Sequence, residues 1–154
     1  MRQVRACSLC PVIAAGGIMN GTEILTALQT GAVAAQMGTA FVACDESAAS
    51  PVHRVALVMA ETAMMRSISG RPARGVVNRF TELDTEPDRP AVPAYPYAYD
   101  AGKTLDAAAR SRGESGYGAF RAGQGAARTR PIRAACLMTL LSEELRNAAT
   151  PHNR

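Results

Sequence analysis

The sequence predicts an α/β fold built on parallel strands. Three observations predict it. Two short apolar runs, "PVIAA" (11–15) and "AVAAQ" (32–36), flank a stretch of helical period at 22–30. A glycine turn follows each run, Gly16-Gly17 after the first and Gly38 after the second. Aromatic content is only 5%, with no Trp, inside a hydrophobic content of 47%. The core must therefore be made of Ala, Val, Leu, Ile and Met, which suits helix-on-sheet packing better than an aromatic-rich sandwich.

The elements follow in order. Residues 1–10 read as the tail of a helix. Residues 11–15 are bounded by Pro11 and Gly-Gly and read as a short, fully buried strand. In 22–30, Ile24, Leu25 and Leu28 fall at helical spacing, with Thr22 as cap and Gly31 as stop. Residues 32–36 read as a second buried strand. Strand, turn, helix and strand make a βαβ unit, which requires a right-handed crossover between parallel strands. Residues 41–50 read as a loop carrying Asp45 and Glu46. Residues 51–65 read as a helix, with Val52, Val55, Ala56, Met59 and Ala63 on one face. Gly70, Pro72 and Gly75 break regular structure over 66–80. Residues 81–102, rich in Pro and Tyr, read as a wrapping segment or linker. A helix is expected over 104–111, coil over 113–130, and a last helix over 131–148 with Leu137, Leu140, Leu141 and Leu145 on one face. There is no internal repeat.

Charge and composition exclude several classes. The net charge is +4, and the basic residues are spread without a dense run, so they read as a solvated face and not as a nucleic-acid footprint. The longest nearly uncharged stretch, 11–42, is interrupted by five glycines, Asn20 and Glu23, so no membrane span is expected. The N-terminal stretch flows into strand–turn–helix and is read as mature structure, not as a signal peptide, which places the protein in the cytoplasm. Cys7 and Cys10 form a CxxC with no second pair at zinc spacing. The four cysteines, Cys7, Cys10, Cys44 and Cys136, are read as small apolar filler. No metal ligand is expected.

The two glycine turns carry the functional signal. Both follow parallel strands at the edge where ligands bind in such folds. Glycine lets the backbone approach an anion, and backbone N–H groups then point at phosphate oxygens. Thr39 adds a hydroxyl. A phosphate-bearing ligand is the reading that uses both turns, against the plainer one of tight turns alone.

Three blocks, "PVIAAGGIMNG", "ALQTGAVAAQMGTAFVACDES" and "SGRPARGVVNRF", resemble the nitronate monooxygenase family, formerly the 2-nitropropane dioxygenases. "YPYAYDAGKTL" and "RAGQGAARTRPI" resemble that family's C-terminal segment. The resemblance implies a (β/α)8 TIM barrel with an added helical region, of which this chain is the C-terminal part. Strands 7 and 8 would lie in residues 1–66, an FMN phosphate-binding segment, and a mostly helical C-terminal extension would occupy 67–154. The implied cofactor is FMN. Gly16 and Gly17 match the glycines after strand 7, and Gln36, Met37, Gly38 and Thr39 match the segment after strand 8 that wraps the same phosphate. Asn20 and Val33 depart mildly from the family pattern.

The implied activity is oxidation of alkyl nitronates with O2 to a carbonyl compound and nitrite. The implied partners are that small-molecule substrate, O2 and an N-terminal barrel half, with no nucleic acid and no membrane. Six strands and the family's catalytic histidine would precede Met1, so the chain is expected to be an incomplete C-terminal fragment, inactive alone and with no catalytic residue. His53 is read as a helix-packing residue and His152 as part of the tail. Tyr95, Tyr97 and Lys103 lie in a segment that lines a substrate entrance or simply packs. The alternatives are a flavin-dependent enoyl-[acyl-carrier-protein] reductase relative and a non-catalytic remnant. Two parallel strands alone leave open edges, so self-association is expected.

Overall fold

The computed structural model describes residues 2–7, 9–58 and 61–150. The elements in chain order are α1 (Arg2–Cys7), β1 (Ile13–Ala15), α2 (Gly21–Gln29), β2 (Ala34–Gln36), α3 (Thr39–Val42), α4 (Pro51–Val58), β3 (Thr62–Met65), β4 (Ala73–Val76), α5 (Arg79–Glu82), α6 (Tyr97–Ser111), a 3-10 turn (Ala126–Arg128) and α7 (Ala134–Ala149). The chain is α/β and divides into two compact units, Met1–Ala49 with Arg128–Arg154, and Ser50–Ala127. The boundary expected between residues 66 and 67 falls inside the second unit, just after β3.

In the first unit β1 and β2 pair in parallel, with Ile13 opposite Ala34 and Ala15 opposite Gln36. The helix between them is α2. Its cap is Asn20, whose Oδ1 accepts the Glu23 N–H at 2.8 Å, and not Thr22 as the sequence suggested. Gly31 follows the C-cap with φ +98°, the left-handed stop expected of it. The strands are not fully buried. Only Ala14 is enclosed in β1, while Ile13 and the adjoining Val33 are 57% and 61% exposed. Each sheet among the described residues has only two strands, so β1 and β2 each keep an open edge.

The core of this unit is Met19, Ala40, Cys44, Leu137 and Leu141, with Ile24, Met37, Phe41 and Ile132 packed on it. Leu137 and Leu141 lie one turn apart on α7, and each buries enough apolar surface to contribute about 1.5–3 kcal/mol. α7 begins at Ala134, three residues later than Pro131 suggested, where the Glu46 carboxylate accepts the Ala134 N–H at 2.8 Å. Of the four cysteines only Cys44 is apolar filler. Cys7, Cys10 and Cys136 are exposed, and all four are free thiols.

The second unit corrects the helix expected over 51–65. α4 ends at Val58, and Thr62–Met65 is a strand paired antiparallel with Ala73–Val76. Met59 lies outside the described residues. The connection between these strands is held by Asp84, which accepts the Arg66 N–H at 2.8 Å, the Ser67 N–H at 3.1 Å and the Ser67 hydroxyl at 3.0 Å. The Val76 N–H donates to the Phe120 carbonyl at 2.8 Å, so part of the segment read as coil runs beside the hairpin. Met65, Ile68 and Phe80 form the core here, with Tyr99 and Tyr117 against them. Asn78 caps α5 in a reciprocal box with Thr81. α6 starts at Tyr97, seven residues earlier than expected, inside the stretch read as a linker.

Candidate anion-binding site

The register of β1 and β2 sets the site. Because Ala15 stands opposite Gln36, both strands end at one edge. The chain turns away through Gly16-Gly17 on one side and Met37-Gly38 on the other. Gly16 has φ +97° and Gly17 φ +75°, left-handed values that strain any residue with a Cβ. A Cβ at Gly16, Gly17 or Gly38 would meet nothing within 4 Å, so the space over these backbones is open. Gly16, Gly17, Gln36 and Gly38 are exposed, and Met37 and Thr39 are half-buried. Met37 packs its side chain on the core, so it faces this edge by its backbone alone.

The hydrogen bonds of the first turn separate the amides used by the fold from those left open. Met19 donates its N–H to Glu23 Oε2 at 2.6 Å, and Gly21 donates to Glu144 Oε2 at 2.8 Å. With Asn20 capping Glu23, the N-terminus of α2 is closed by the protein's own oxygens. Two carboxylates there also complement the helix dipole. Among the described residues, by contrast, the N–H groups of Gly17, Ile18 and Gly38, which lie beyond the β1–β2 ladder, make no turn or loop hydrogen bond within the chain. The open donors therefore sit in the turns at the strand edge, not at the helix.

Two arginines from the other end of the sequence brace the first turn. Arg128 donates Nη1 to Glu23 Oε1 at 2.6 Å and Nη2 to the Gly17 carbonyl at 3.3 Å. Arg130 donates Nη2 to the Met19 carbonyl at 3.4 Å. Its Nη1 lies 2.9 Å from Glu144 Oε1, a charge pair without hydrogen-bond alignment. Partial burial pushes the Glu23 carboxyl up, but Arg128 and the amides it accepts outweigh this and hold it below the usual carboxylate value. None of these four residues is legible as a site residue from the sequence. The "GQGAARTR" block marks the region but not the contact.

Beside the second turn is an open cavity of about 300 Å³, lined by Gly38, Phe41, Val42, Cys44, Glu46 and Ala134 among others. In the second unit Tyr95 and Tyr99 stand 6.4 Å apart, and Lys103 Nζ lies 4.1 Å from the Tyr99 ring centre. Tyr97, singled out by the sequence reading, is 75% exposed. Tyr99 was missed, though Tyr99 and Lys103, four residues apart on α6, share one helical side. His53 stacks on Phe120 at 5.0 Å between ring centres, a packing role. His152 lies outside the described residues. No three His, Cys, Asp or Glu side chains converge among the described residues. No described helix is long and apolar enough to cross a membrane.

A family model described as nitronate monooxygenase matches residues 1–144. The chain belongs to the nitronate monooxygenase family. A nitronate monooxygenase of Paraburkholderia phytofirmans is 51% identical over 141 residues, which cover 90% of this chain and 38% of that protein. One of Pseudomonas aeruginosa is 48% identical over 149 residues, covering 95% of this chain and 42% of the relative. The chain thus spans about two fifths of the length of these nitronate monooxygenases. A crystal structure of nitroalkane oxidase from Streptomyces ansochromogenes superposes with TM-score 0.86 at 43% identity, over 96% of this chain and 42% of that one. FabK from Thermotoga maritima superposes with TM-score 0.73 at 28% identity, over 95% of this chain and 47% of that one.

Proposed function

We propose that this chain carries the phosphate-binding portion of an FMN-dependent nitronate monooxygenase. β1 and β2 would be strands 7 and 8 of a (β/α)8 barrel, with the rest of the chain adding the family's C-terminal extension. The observation that carries the reading is the pair of glycine turns at one strand edge, with open amides at Gly17, Ile18 and Gly38. Those donors fit a phosphomonoester. They are backbone N–H groups in turns where a Cβ on Gly16, Gly17 or Gly38 would meet nothing within 4 Å, so a ligand has room to approach the backbone.

Gly16 and Gly17 would hold the phosphate from one side. The backbone of Gln36, Met37, Gly38 and Thr39 would wrap it from the other. Bound there, FMN would supply the redox chemistry by which an alkyl nitronate and O2 give a carbonyl compound and nitrite. The residues of this site offer amides and one hydroxyl, so their work is binding and orientation, not proton transfer. Tyr95, Tyr97 and Lys103 would line the approach of substrate. The enoyl reductase alternative is not favoured, because the named relatives at 48–51% identity are nitronate monooxygenases.

The test is titration of the chain with FMN and with riboflavin, read by flavin fluorescence and thermal melting. Saturable FMN binding that raises the melting temperature, with riboflavin much weaker, is the expected result. Equal response to both flavins, or to neither, would overturn the phosphate assignment.

A further inference from the structure

The side chains that brace the first turn suggest a role beyond stability. Arg128 reaches two groups at once, the Glu23 carboxylate at 2.6 Å and the Gly17 carbonyl at 3.3 Å. Glu23 is itself fixed, because its second oxygen takes the Met19 N–H at 2.6 Å and its own N–H is capped by Asn20. The guanidinium is thus oriented at one end and grips the turn at the other. The Gly17–Ile18 peptide is trans, so its carbonyl and the Ile18 N–H point in opposite directions. Pinning the carbonyl toward Arg128 turns the Ile18 N–H away from Arg128. Gly17 has no side chain to restrict its rotation, so without the grip this peptide plane is free to swing.

We propose that Arg128, held by Glu23, is a positioning residue that sets the Gly17–Ile18 peptide plane so that the open amides of the turn converge on a phosphomonoester. This rests on the phosphate reading above. It adds a discrimination mechanism in which Arg128 acts through the backbone and Glu23 offsets its charge. A direct ionic role would instead leave Arg128 free to meet the phosphate. The two mechanisms predict opposite effects of removing the Glu23 charge.

The experiment is a comparison of FMN and riboflavin affinities by fluorescence titration for the wild-type chain, E23Q, R128K and R128Q, with each apo protein's melting recorded. Positioning predicts that E23Q and R128K each weaken FMN binding by about tenfold while riboflavin affinity stays the same. R128K keeps the charge but loses the two-pronged geometry. If E23Q tightens FMN binding, or R128K binds FMN like wild type, Arg128 is no positioning residue. If FMN and riboflavin weaken together in step with a lower melting point, the clamp is merely structural and the proposal fails. Should R128Q not fold, E23Q and R128K still decide the matter. Wild-type protein that does not bind FMN would overturn both this and the phosphate reading, whereas wild-type binding with unchanged variants overturns only this one.

Discussion

Gly21 rests directly on Glu144. Its N–H donates to the Glu144 carboxylate at 2.8 Å, and a Cβ built on Gly21 would fall within 3.0 Å of the Glu144 and Leu145 backbones. The first residue of α2 must therefore be glycine for steric reasons, although its φ is not left-handed. Gly21→Ala should force α2 and α7 apart and cost about 1–3 kcal/mol, seen as a lower urea midpoint. An unchanged midpoint would show that the two helices can slide without loss.

Gly17 presents the opposite case. Nothing in the chain lies within 4 Å of a Cβ there, but φ is +75°. Gly17→Val should cost stability only through backbone strain, about 1–2 kcal/mol. Its effect on FMN affinity should be larger, because the side chain would occupy the space above the open amides. A melt and a flavin titration on the same protein separate the two effects. Affinity that survives the substitution would place the phosphate elsewhere.

His53 gives stability a pH dependence near neutrality. Burial lowers its pKa below the ordinary 6.5, only partly countered by a hydrogen bond to the Arg121 backbone. The unfolded chain therefore binds this proton more readily than the folded one. The contribution is present above about pH 6.5 and is lost as pH falls through that value toward the lower folded one. Thermal melts from pH 7.5 to 5 should show a decline that His53→Phe flattens, since phenylalanine keeps the stack on Phe120 and cannot titrate. Parallel profiles for the two proteins would assign the decline to another group.

Asp84 acts at lower pH. Burial pushes its carboxyl up, but the Ser67 and Arg66 amides, the Ser67 hydroxyl and the Arg89 charge bring it below the ordinary value. Its stabilisation is present above about pH 4 and fades as pH falls through the depressed folded value. Asp84→Asn should loosen the β3–β4 connection, costing about 1–3 kcal/mol at pH 7 and less in acid. A loss that is the same at pH 3 and pH 7 would mean that charge is irrelevant to this contact.

The first unit was legible in the sequence where its signals are local. Gly16, Gly17, Gly31 and Gly38 punctuate apolar runs and so announced both strands and the helix between them. The β3–β4 hairpin was not, because "TAMM" fits a helix face as well as a strand. Its pairing is settled by distant groups, the Phe120 carbonyl and the Asp84 carboxylate. The α2 cap was misjudged for a similar reason. Asn20 and Thr22 are both able to cap, and the choice follows from the seating of Gly21 on a helix 123 residues away. The backbone atoms of the candidate site could be inferred from their glycines. The arginine clamp could not, since 105 residues separate Glu23 from Arg128.

That separation has a consequence for the nascent chain. α2, β2 and the Gly17 turn leave the ribosome long before α7 and the two arginines that hold them. Ser50–Ala127 is contiguous and can condense as it is synthesised. The earlier segment must wait, with Met19, Ala40 and Cys44 exposed until Leu137 and Leu141 arrive. Translation speed over residues 50–141, and any chaperone that shields Met19, Ala40 and Cys44 meanwhile, should govern how much of the protein reaches its native state.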